Sequence, residues 1–443
     1  MEKIIKLINE GKYTETRNEL IKLNVVDIAQ FLSELEEDKS LIVFRLLPKE
    51  IAAEVFSYMS SEQQRYIIES ITDREIKGII DELFMDDTVD LLEEMPANVV
   101  KKILKNIGEQ ERKIINQLLM YPDYSAGSLM TIEYVDLRKE MTVGEAIRHI
   151  RETAIDKETI DVCYVTDNNR KLEGAVSIRK LILSDEAALV KDLMETNIVS
   201  IHTHMDQEEI ADLFKKYDLL VMPVVDKENR LVGIITIDDI VDIIEQENTE
   251  DFHVMAAMQP SEEEYLKTRV VKLAKNRVLW LLVLMISSTF TGYIIRRFND
   301  VLQSVVVLAA YIPMLMDTSG NAGSQSATMV IRGLALNELK LNDILRVIWK
   351  EFRVSLIVGA VLTIVNFLRI YLIEGTDLNI SAVVCMSLFI TVILAKVIGG
   401  SLPIIAKKLR LDPAIMASPF ITTIVDAIVL STYFTLATWL LHI

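Results

Sequence analysis

Apolar residues recur every three or four positions through the first 124 residues. The stretches VVDIAQFLSEL, PKEIAAEVFSYM, DREIKGIIDELF and ANVVKKILKNI all show this spacing, which is typical of amphipathic helices. Each stretch is too short to bury its apolar face alone. The pattern therefore predicts a domain over residues 1–124 in which short helices stack in tandem as a solenoid, although a plain protein-interaction module would give the same pattern.

Residues 125–250 contain an internal repeat. MTIEYVDLRKEMT is echoed by METNIVSIHTHMD, and YVTDNNRKLEGAVSIRKLI is echoed by PVVDKENRLVGIITIDDIV. Each copy predicts a helix, a strand, a turn rich in Asp, Asn and Lys, a second strand and a closing helix. We therefore expect a tandem α/β domain here.

Long apolar stretches dominate residues 277–443. A helix needs about 20 mostly apolar residues to cross the hydrocarbon core of a bilayer. We predict five spans, at residues 278–296, 303–331, 352–373, 380–406 and 413–441. Gly and Pro interrupt the second, fourth and fifth spans, so we expect tilts or kinks in them.

Basic residues in the loops predict the orientation of these spans. Two loops are rich in them, with Arg332, Lys340, Arg346, Lys350 and Arg353 in one and Lys407, Lys408 and Arg410 in the other. Such loops stay on the cytosolic side. We expect a plasma-membrane protein with a cytosolic N-terminus and an external C-terminus, and the N-terminal MEKIIKLINEGK, which lacks a signal-peptide core, agrees.

The charge of the chain is strongly negative and unevenly placed. It has 65 acidic and 47 basic residues, a net charge of −18, and most of the acids precede the first span. Such a block repels nucleic acid and attracts metal cations, although for most of these acids a solubilising surface is sufficient explanation. The two cysteines indicate neither a disulfide framework nor a zinc site. The chain has no phosphate loop, nucleophile elbow or HExxH pattern, so we do not expect an enzyme.

Three charged residues fall well inside the predicted spans, away from their ends: Asp317, Lys396 and Asp426. A charge at membrane depth costs several kcal/mol unless it is paired or faces water. Asp426 either forms a buried salt bridge with Lys396 or belongs to a cation site. Asp317 opens a run of oxygen donors that suit hard cations such as Mg²⁺ or Ca²⁺, and it continues with Asn321, Ser324, Gln325, Ser326 and Thr328. The glycines and serines of this run would also serve helix packing alone.

The repeat resembles a tandem CBS-domain pair. The resemblance rests on the pattern of apolar residues, Gly and Ser or Thr at Gly174–Ser177 and Gly233–Thr236. It implies an adenosine-nucleotide site, with ATP as a possible ligand, at Thr236 and Asp239. The first copy has Lys180 where the ribose carboxylate would lie, so at most one nucleotide site is expected. A CBS pair that acts only as a scaffold is the alternative.

The whole chain resembles the MgtE family of magnesium transporters. The most specific matches are PMLMDTSGNAGSQSATMVIRGLA from Pro313 and LDPAIMASPFITTIVDAIVL from Leu411, while Ser319 and Ser324 depart from the usual family residues. The implied fold is an α-helical membrane protein with five transmembrane helices, a cytosolic helical-repeat N-domain and an α/β CBS pair. The resemblance also implies a connecting helix over residues 251–276 between the CBS pair and the first span.

The resemblance also implies a homodimer in the lipid bilayer, with a pore on its two-fold axis. Asp426 and its symmetry mate would hold a hydrated Mg²⁺ ion, and Asp412 would contact the cation at the cytosolic end. Asp412 also suits the N-cap of the last helix, before Pro413. The implied pore-lining residues are Asp317, Asn321, Ser324 and Gln325.

Regulation by cytosolic Mg²⁺ is the last implication of the resemblance. Asp86 and Asp90 lie one helical turn apart with Asp87 beside them, so their like charges need neutralising. The implied sensor continues with Asp206, Glu208, Asp218, Asp239, Asp242, Glu247, Glu250 and Asp251. We expect a Mg²⁺ uptake system that closes when these acids bind cytosolic Mg²⁺. The alternatives are transport of another divalent ion, such as Co²⁺ or Mn²⁺, and efflux, whereas an anion channel disagrees with the acids in the spans.

Overall fold

The computed structural model describes residues 1–261, 265–266, 268–416 and 418–442. The chain divides into two compact units, Met1–Ile244 and Glu245–Ile443.

The first unit begins with a run of short helices, as the apolar spacing predicted. Each helix turns one apolar face inward, and side chains such as Phe31, Phe56 and Ile76 are fully buried in the shared core. In one of them, Thr72 and Glu75 form a capping box that fixes the first turn. The helices are α1 Glu2–Asn9, α2 Tyr13–Leu20, α3 Val25–Ser33, α4 Glu37–Phe44, α5 Lys49–Ser57, α6 Ser61–Ser70, α7 Asp73–Ile80, α8 Met85–Glu94, α9 Ala97–Asn106 and α10 Glu109–Leu118.

The repeat folds into two copies of one α/β unit, which confirms the predicted fold class. The elements of the first copy are α11 Ala126–Leu129, β1 Asp136–Leu137, α12 Val143–Thr153, β2 Val162–Thr166, β3 Leu172–Ser177 and α13 Ile178–Ile182. Those of the second are α14 Val190–Leu193, β4 Ile201–His202, α15 Gln207–Tyr217, β5 Val221–Val225, β6 Leu231–Thr236 and α16 Ile237–Met255. In each copy the first strand pairs parallel with the second, and the second pairs antiparallel with the third.

The two copies exchange backbone contacts at the glycines of the repeated motif. Thr131 pairs with Ile234 next to Gly233, and Glu195 pairs with Ala175 next to Gly174. A Cβ atom on either glycine would lie 2.7 Å from the carbonyl oxygen of the crossing chain. The motif therefore needs glycine because another backbone passes directly over the strand.

The second unit is a bundle of long helices. They are α17 Val270–Arg297, α18 Asn299–Ser304, α19 Val307–Ala335, α20 Ile344–Leu368, α21 Leu378–Lys408 and α22 Ser418–Leu441. Within the described residues, four helical stretches have the length and mean hydropathy of membrane spans: Val270–Arg297, Leu341–Ile373, Leu378–Lys408 and Pro419–Leu441. The second predicted span corresponds to α19, whose 29 residues are long enough to cross but carry the polar run. The count of five spans therefore stays a prediction.

The predicted connecting helix over residues 251–276 is wrong, because the chain is not one continuous helix there. Helix α16 ends at Met255, and Ala257 has a left-handed φ of 53°. Pro260 follows, which cannot continue a helix. The next helix begins at Val270, and positions 262–264 and 267 of the predicted helix lie outside the described residues.

Candidate functional site

The polar run on α19 forms a stripe along one face of that helix. Asp317, Asn321, Gln325 and Thr328 are exposed, and Ser324 is half-buried beside them. Their spacing of three or four residues places them on one side of the helix. The structure therefore brings the sequence-predicted pore residues together on a face that the chain does not cover. We call these five residues the α19 stripe.

The opposite face of α19 packs tightly through small residues. A Cβ atom on Gly399 of α21 would lie 2.2 Å from the carbonyl oxygen of Gly323, and one on Gly320 would lie 2.9 Å from Thr422 of α22. Ser319 and Ser326 are buried on the same face. This close packing fixes the rotation of α19 and therefore the direction of the α19 stripe.

The two acids predicted for the last span lie in different settings. Asp426 is half-buried in the middle of α22. Asp412 lies before the short 3₁₀ turn Pro413–Met416, and its Oδ1 accepts a hydrogen bond from the Ala414 backbone N–H at 2.7 Å. Asp412 thus caps this turn, and the predicted helix over 413–441 begins only at Ser418, with position 417 outside the described residues.

Lys396 does not pair with Asp426, so that alternative is wrong in this structure. Its side chain is 5% exposed, and its Nζ lies 3.5 Å from Ser326 Oγ, which in turn donates to Glu351 Oε2 at 2.6 Å. Sequence reasoning missed Glu351, because it placed this residue outside the third span. The signal available was an acid only two turns into a strongly apolar helix.

The acids of α8 lie in a crowded, negatively charged environment. Burial raises the pKa of Asp86 well above its ordinary value, with Asp87 and Asp239 acting in the same direction. Burial and the carboxylates of Asp239, Asp238 and Glu133 raise the pKa of Asp87 to about 6. Burial, then Glu93, Asp87 and Asp239, raise the pKa of Asp90 to about 7, although its side chain still reaches solvent and is partly screened.

The acids that face α8 come from both copies of the repeat. Burial raises the pKa of Glu158 to about 7, and Asp239, Asp238 and Asp87 contribute. Burial also raises the pKa of Asp239 to about 6, against the hydrogen bond that its Oδ2 accepts from Thr236 Oγ1 at 2.8 Å. We call this group the acidic cluster, and its members are Asp86, Asp87, Asp90, Glu133, Glu158, Asp238 and Asp239.

Glu133, Glu158 and Asp238 are the members of this cluster that sequence reasoning missed. They stand in the loop before β1, the loop before β2 and the first turn of α16, so nothing in their spacing joins them to α8. The carboxylates of the acidic cluster repel one another. They can lie this close together only if protons or cations neutralise part of their negative charge. Within the described residues, no three acidic, histidine or cysteine side chains converge closely enough to hold a bare metal ion. A cation that keeps its first-shell waters suits such spacing better.

The remaining predicted acids are dispersed. Asp206 caps α15 by accepting from the Glu208 backbone N–H at 3.0 Å, and Asp218 ends the same helix with a left-handed φ of 51°. Asp242 is exposed on α16 and helps to raise the pKa of Asp239. In the second unit, burial and then Asp412, Glu247 and Glu250 raise the pKa of Asp251 to about 6.

Three sequence profiles match the chain. One described as a divalent cation transporter covers residues 312–436, the MgtE intracellular N domain covers 23–124, and a CBS domain covers 190–246. The magnesium transporter MgtE of Thermus thermophilus is 37% identical over 439 residues, 98% of this chain and 97% of the relative. The magnesium transporter MgtE of Bacillus subtilis is 34% identical over 440 residues, 99% of this chain and 97% of the relative.

Solved structures agree with these matches. The cytosolic domain of the Mg²⁺ channel MgtE, crystallised in complex with ATP, is 36% identical and has a TM-score of 0.52, covering 54% of this chain and 98% of the solved one. Together, the long apolar helices and these relatives define a multi-pass membrane protein of the transporter class. The chain belongs to the MgtE family, which confirms the resemblance inferred from its motifs.

Proposed function

We propose that the protein is a homodimeric channel that carries Mg²⁺ into the cell across the plasma membrane and is closed by cytosolic Mg²⁺. The observation that carries this proposal is the α19 stripe, a row of oxygen donors that this chain leaves exposed on a helix long enough to cross a bilayer. Such a row is unfavourable against lipid. A second copy facing it across a two-fold axis would enclose it in a water-filled path.

Asp426 supplies the selective charge of the proposed pore. In a homodimer its carboxylate faces that of its symmetry mate, and two carboxylates attract a divalent ion more strongly than a monovalent one. Mg²⁺ gives up its inner waters reluctantly, so the carboxylates contact it through those waters. Binding stays weak enough for release, which conduction requires. The α19 stripe offers further oxygen acceptors along the path, and Asp412 lies at its cytosolic end.

The acidic cluster acts in this proposal as the sensor of cytosolic Mg²⁺. When Mg²⁺ is abundant, hydrated ions neutralise the carboxylates of α8 and the CBS pair and hold these elements together. Asp206, Glu208, Asp218 and Asp242, with Glu247, Glu250 and Asp251 farther along α16, extend the same sensor. When Mg²⁺ falls, repulsion separates the elements and the pore opens. Several weak sites acting together supply the free energy that such a switch needs.

A nucleotide site at the CBS pair is a further part of the proposal. Thr236 ends β6 and Asp239 lies in the first turn of α16, where a hydroxyl and a carboxylate suit a phosphate and a ribose of ATP. The relative crystallised with ATP supports this assignment. Because Asp239 also belongs to the acidic cluster, ATP and Mg²⁺ would influence each other at this residue.

The experiment that tests the function is Mg²⁺ influx into proteoliposomes at low and high internal Mg²⁺. The wild type is compared with Asp426→Asn and with the control Asp300→Asn, an exposed acid of α18. We expect flux only at low internal Mg²⁺, a loss of about tenfold or more in Asp426→Asn, and wild-type behaviour in the control. Normal flux in Asp426→Asn would refute the pore assignment, and flux that ignores internal Mg²⁺ would refute the sensor. Competition by Co²⁺ and Mn²⁺ in the same assay decides which ion is carried.

A further inference from the structure

A cavity of about 450 Å³ lies among α19, α20 and α21 in the second unit. The apolar part of its wall includes Ala310, Met314, Leu362, Val365 and Leu388. Its volume falls within the range of small-molecule sites, about 300–1,000 Å³. Because α20 and α21 have the composition of membrane spans, the molecules nearest to this cavity in a bilayer are lipids.

One end of the cavity is polar and rigidly built. Arg369 Nε and Nη2 donate to Asn366 Oδ1 at 3.2 and 3.1 Å, and Arg369 Nη1 donates to Glu374 Oε1 at 2.6 Å. Glu374 Oε2 accepts from the Tyr311 hydroxyl at 2.8 Å. Asn366 is only 7% exposed, so a buried amide fixes the position of the Arg369 guanidinium. The Arg369–Ile373 segment is a π-helical turn, a form that is frequent at functional sites.

The two charges at this end select the ligand. Arg369 suits a phosphate oxygen, because a guanidinium fixed by other bonds still has a free N–H to offer. A purely anionic head group would also meet the carboxylate of Glu374. A head group that carries an ammonium beside its phosphate satisfies both residues, and a primary ammonium can donate a hydrogen bond where a quaternary one cannot.

We propose that this cavity binds a zwitterionic phospholipid with a primary ammonium head group. One acyl chain lies against Leu362, Val365 and Leu388, the phosphate contacts Arg369, and the ammonium contacts Glu374. The site adjoins the α19 stripe, because Thr318 lines the cavity next to Asp317, but it shares no residue with the stripe or with the acidic cluster. Its existence does not depend on which ion the protein carries.

Native mass spectrometry of the purified, delipidated full-length protein tests this site. Phosphatidylethanolamine, phosphatidylglycerol and phosphatidylcholine with identical acyl chains are titrated separately. The variant Ala310→Trp fills the cavity, and Ala309→Trp is its control, because Ala309 is also exposed on α19 but does not line the cavity. We expect the wild type and the control to retain phosphatidylethanolamine about tenfold more tightly than Ala310→Trp does.

The head-group assignment has its own variant. Glu374→Gln removes the carboxylate and keeps a hydrogen-bonding amide, so we expect it to lose the preference for phosphatidylethanolamine over phosphatidylglycerol while still retaining lipid. Equal retention of the three lipids by the wild type overturns the proposal. Unchanged retention in Ala310→Trp also overturns it, because the cavity would then not be the site.

Discussion

Gly399 shows how a single missing side chain sets the geometry of the membrane unit. A Cβ atom there would lie 2.2 Å from the Gly323 carbonyl oxygen, which belongs to the backbone of α19 and cannot rotate away. We expect Gly399→Ala to separate α19 from α21 and to destabilise the bundle by about 1–3 kcal/mol, as overpacked cores are destabilised. Thermal unfolding in detergent and Mg²⁺ flux measure the effect.

The matched control for this substitution is Gly292→Ala. Gly292 also lies in an apolar helix, α17, but no atom lies within 4 Å of its added Cβ. We expect its thermal stability and flux to equal those of the wild type. If both alanine variants behave alike, the close crossing of α19 and α21 does not constrain the protein.

Lys396, Ser326 and Glu351 join three helices through one buried polar chain. Removing either charge leaves the other uncompensated at membrane depth, whereas removing both does not. We therefore expect Glu351→Gln and Lys396→Met each to lower stability and the double variant to lose less than the sum, with a coupling energy of about 0.5–3 kcal/mol. Denaturant unfolding of the wild type, the two single variants and the double variant in detergent gives this coupling energy as a double-mutant cycle.

A control double-mutant cycle uses the exposed Lys350 in place of Lys396. Lys350 precedes Glu351 directly but points to a different side of α20, because neighbouring residues on a helix do not share a face. We expect Lys350→Met and Glu351→Gln to be additive. Additivity in the Lys396 cycle as well would mean that the chain through Ser326 carries no coupling.

At the scale of the element, the polar face of α19 could be predicted from its sequence. Polar residues at three- and four-residue spacing predict one polar face, and the structure places Asp317, Asn321 and Gln325 on it. The packing partners of the buried face of α19 could not be predicted in this way. The contact at Gly323 and the hydrogen-bond partner of Lys396 both depend on how α19 and α21 cross. The spacing of residues within one segment carries no information on that crossing.

The acidic cluster shows the same limit. Asp86, Asp87 and Asp90 stand out on α8 by their spacing, but Glu133 and Glu158 come from loops of the first CBS copy that are distant in sequence. Only the folded contact between the helical solenoid and the repeat brings them together. The connecting helix was mispredicted for a different reason. It was implied only by the family resemblance, and Pro260 and the left-handed Ala257 interrupt the segment.

The raised pKa values of the acidic cluster make the stability of the folded protein depend on pH. Carboxyl groups in unfolded chains titrate near pH 4, whereas the pKa is raised to about 6 for Asp87 and Asp239 and to about 7 for Asp90 and Glu158. Between these values the folded state binds more protons, so stability falls as pH rises from about 4 through 6 to 7. In the proposed sensor, Mg²⁺ replaces the lost protons. We expect millimolar Mg²⁺ to raise the unfolding temperature strongly at about pH 8 and weakly at about pH 5.

Two variants of the full-length protein separate this effect from general binding of Mg²⁺ to an acidic surface. Asp90→Asn removes a cluster carboxylate, and Asp81→Asn removes an exposed acid that caps α7. We expect the first to reduce the Mg²⁺-induced increase at pH 8 and the second to leave it unchanged. An equal loss in both variants would contradict a specific role for the acidic cluster.

At the scale of the whole molecule, the number of spans decides where every loop lies. Four helical stretches within the described residues have the hydropathy of spans, and α19 is excluded only by the polar residues that we assign to the pore. With the N-terminus in the cytosol, as we predict, a crossing by α19 places Leu336, after α19, inside the cell and Ile373, after α20, outside. If α19 does not cross, both assignments reverse, because one crossing fewer precedes each position.

Cysteine labelling in intact cells distinguishes these topologies. Leu336 and Ile373 are exposed side chains, while the native Cys163 and Cys385 are buried and free of disulfides. With a membrane-impermeant maleimide, we expect Ile373→Cys to be labelled and Leu336→Cys to be labelled only after the membrane is opened. Leu409→Cys, exposed after α21, is expected to behave like Leu336→Cys if five spans exist. Labelling of Leu336→Cys from outside would remove α19 from the set of spans. The α19 stripe could then no longer line a path across the bilayer, and the pore would have to be rebuilt around Asp426 alone.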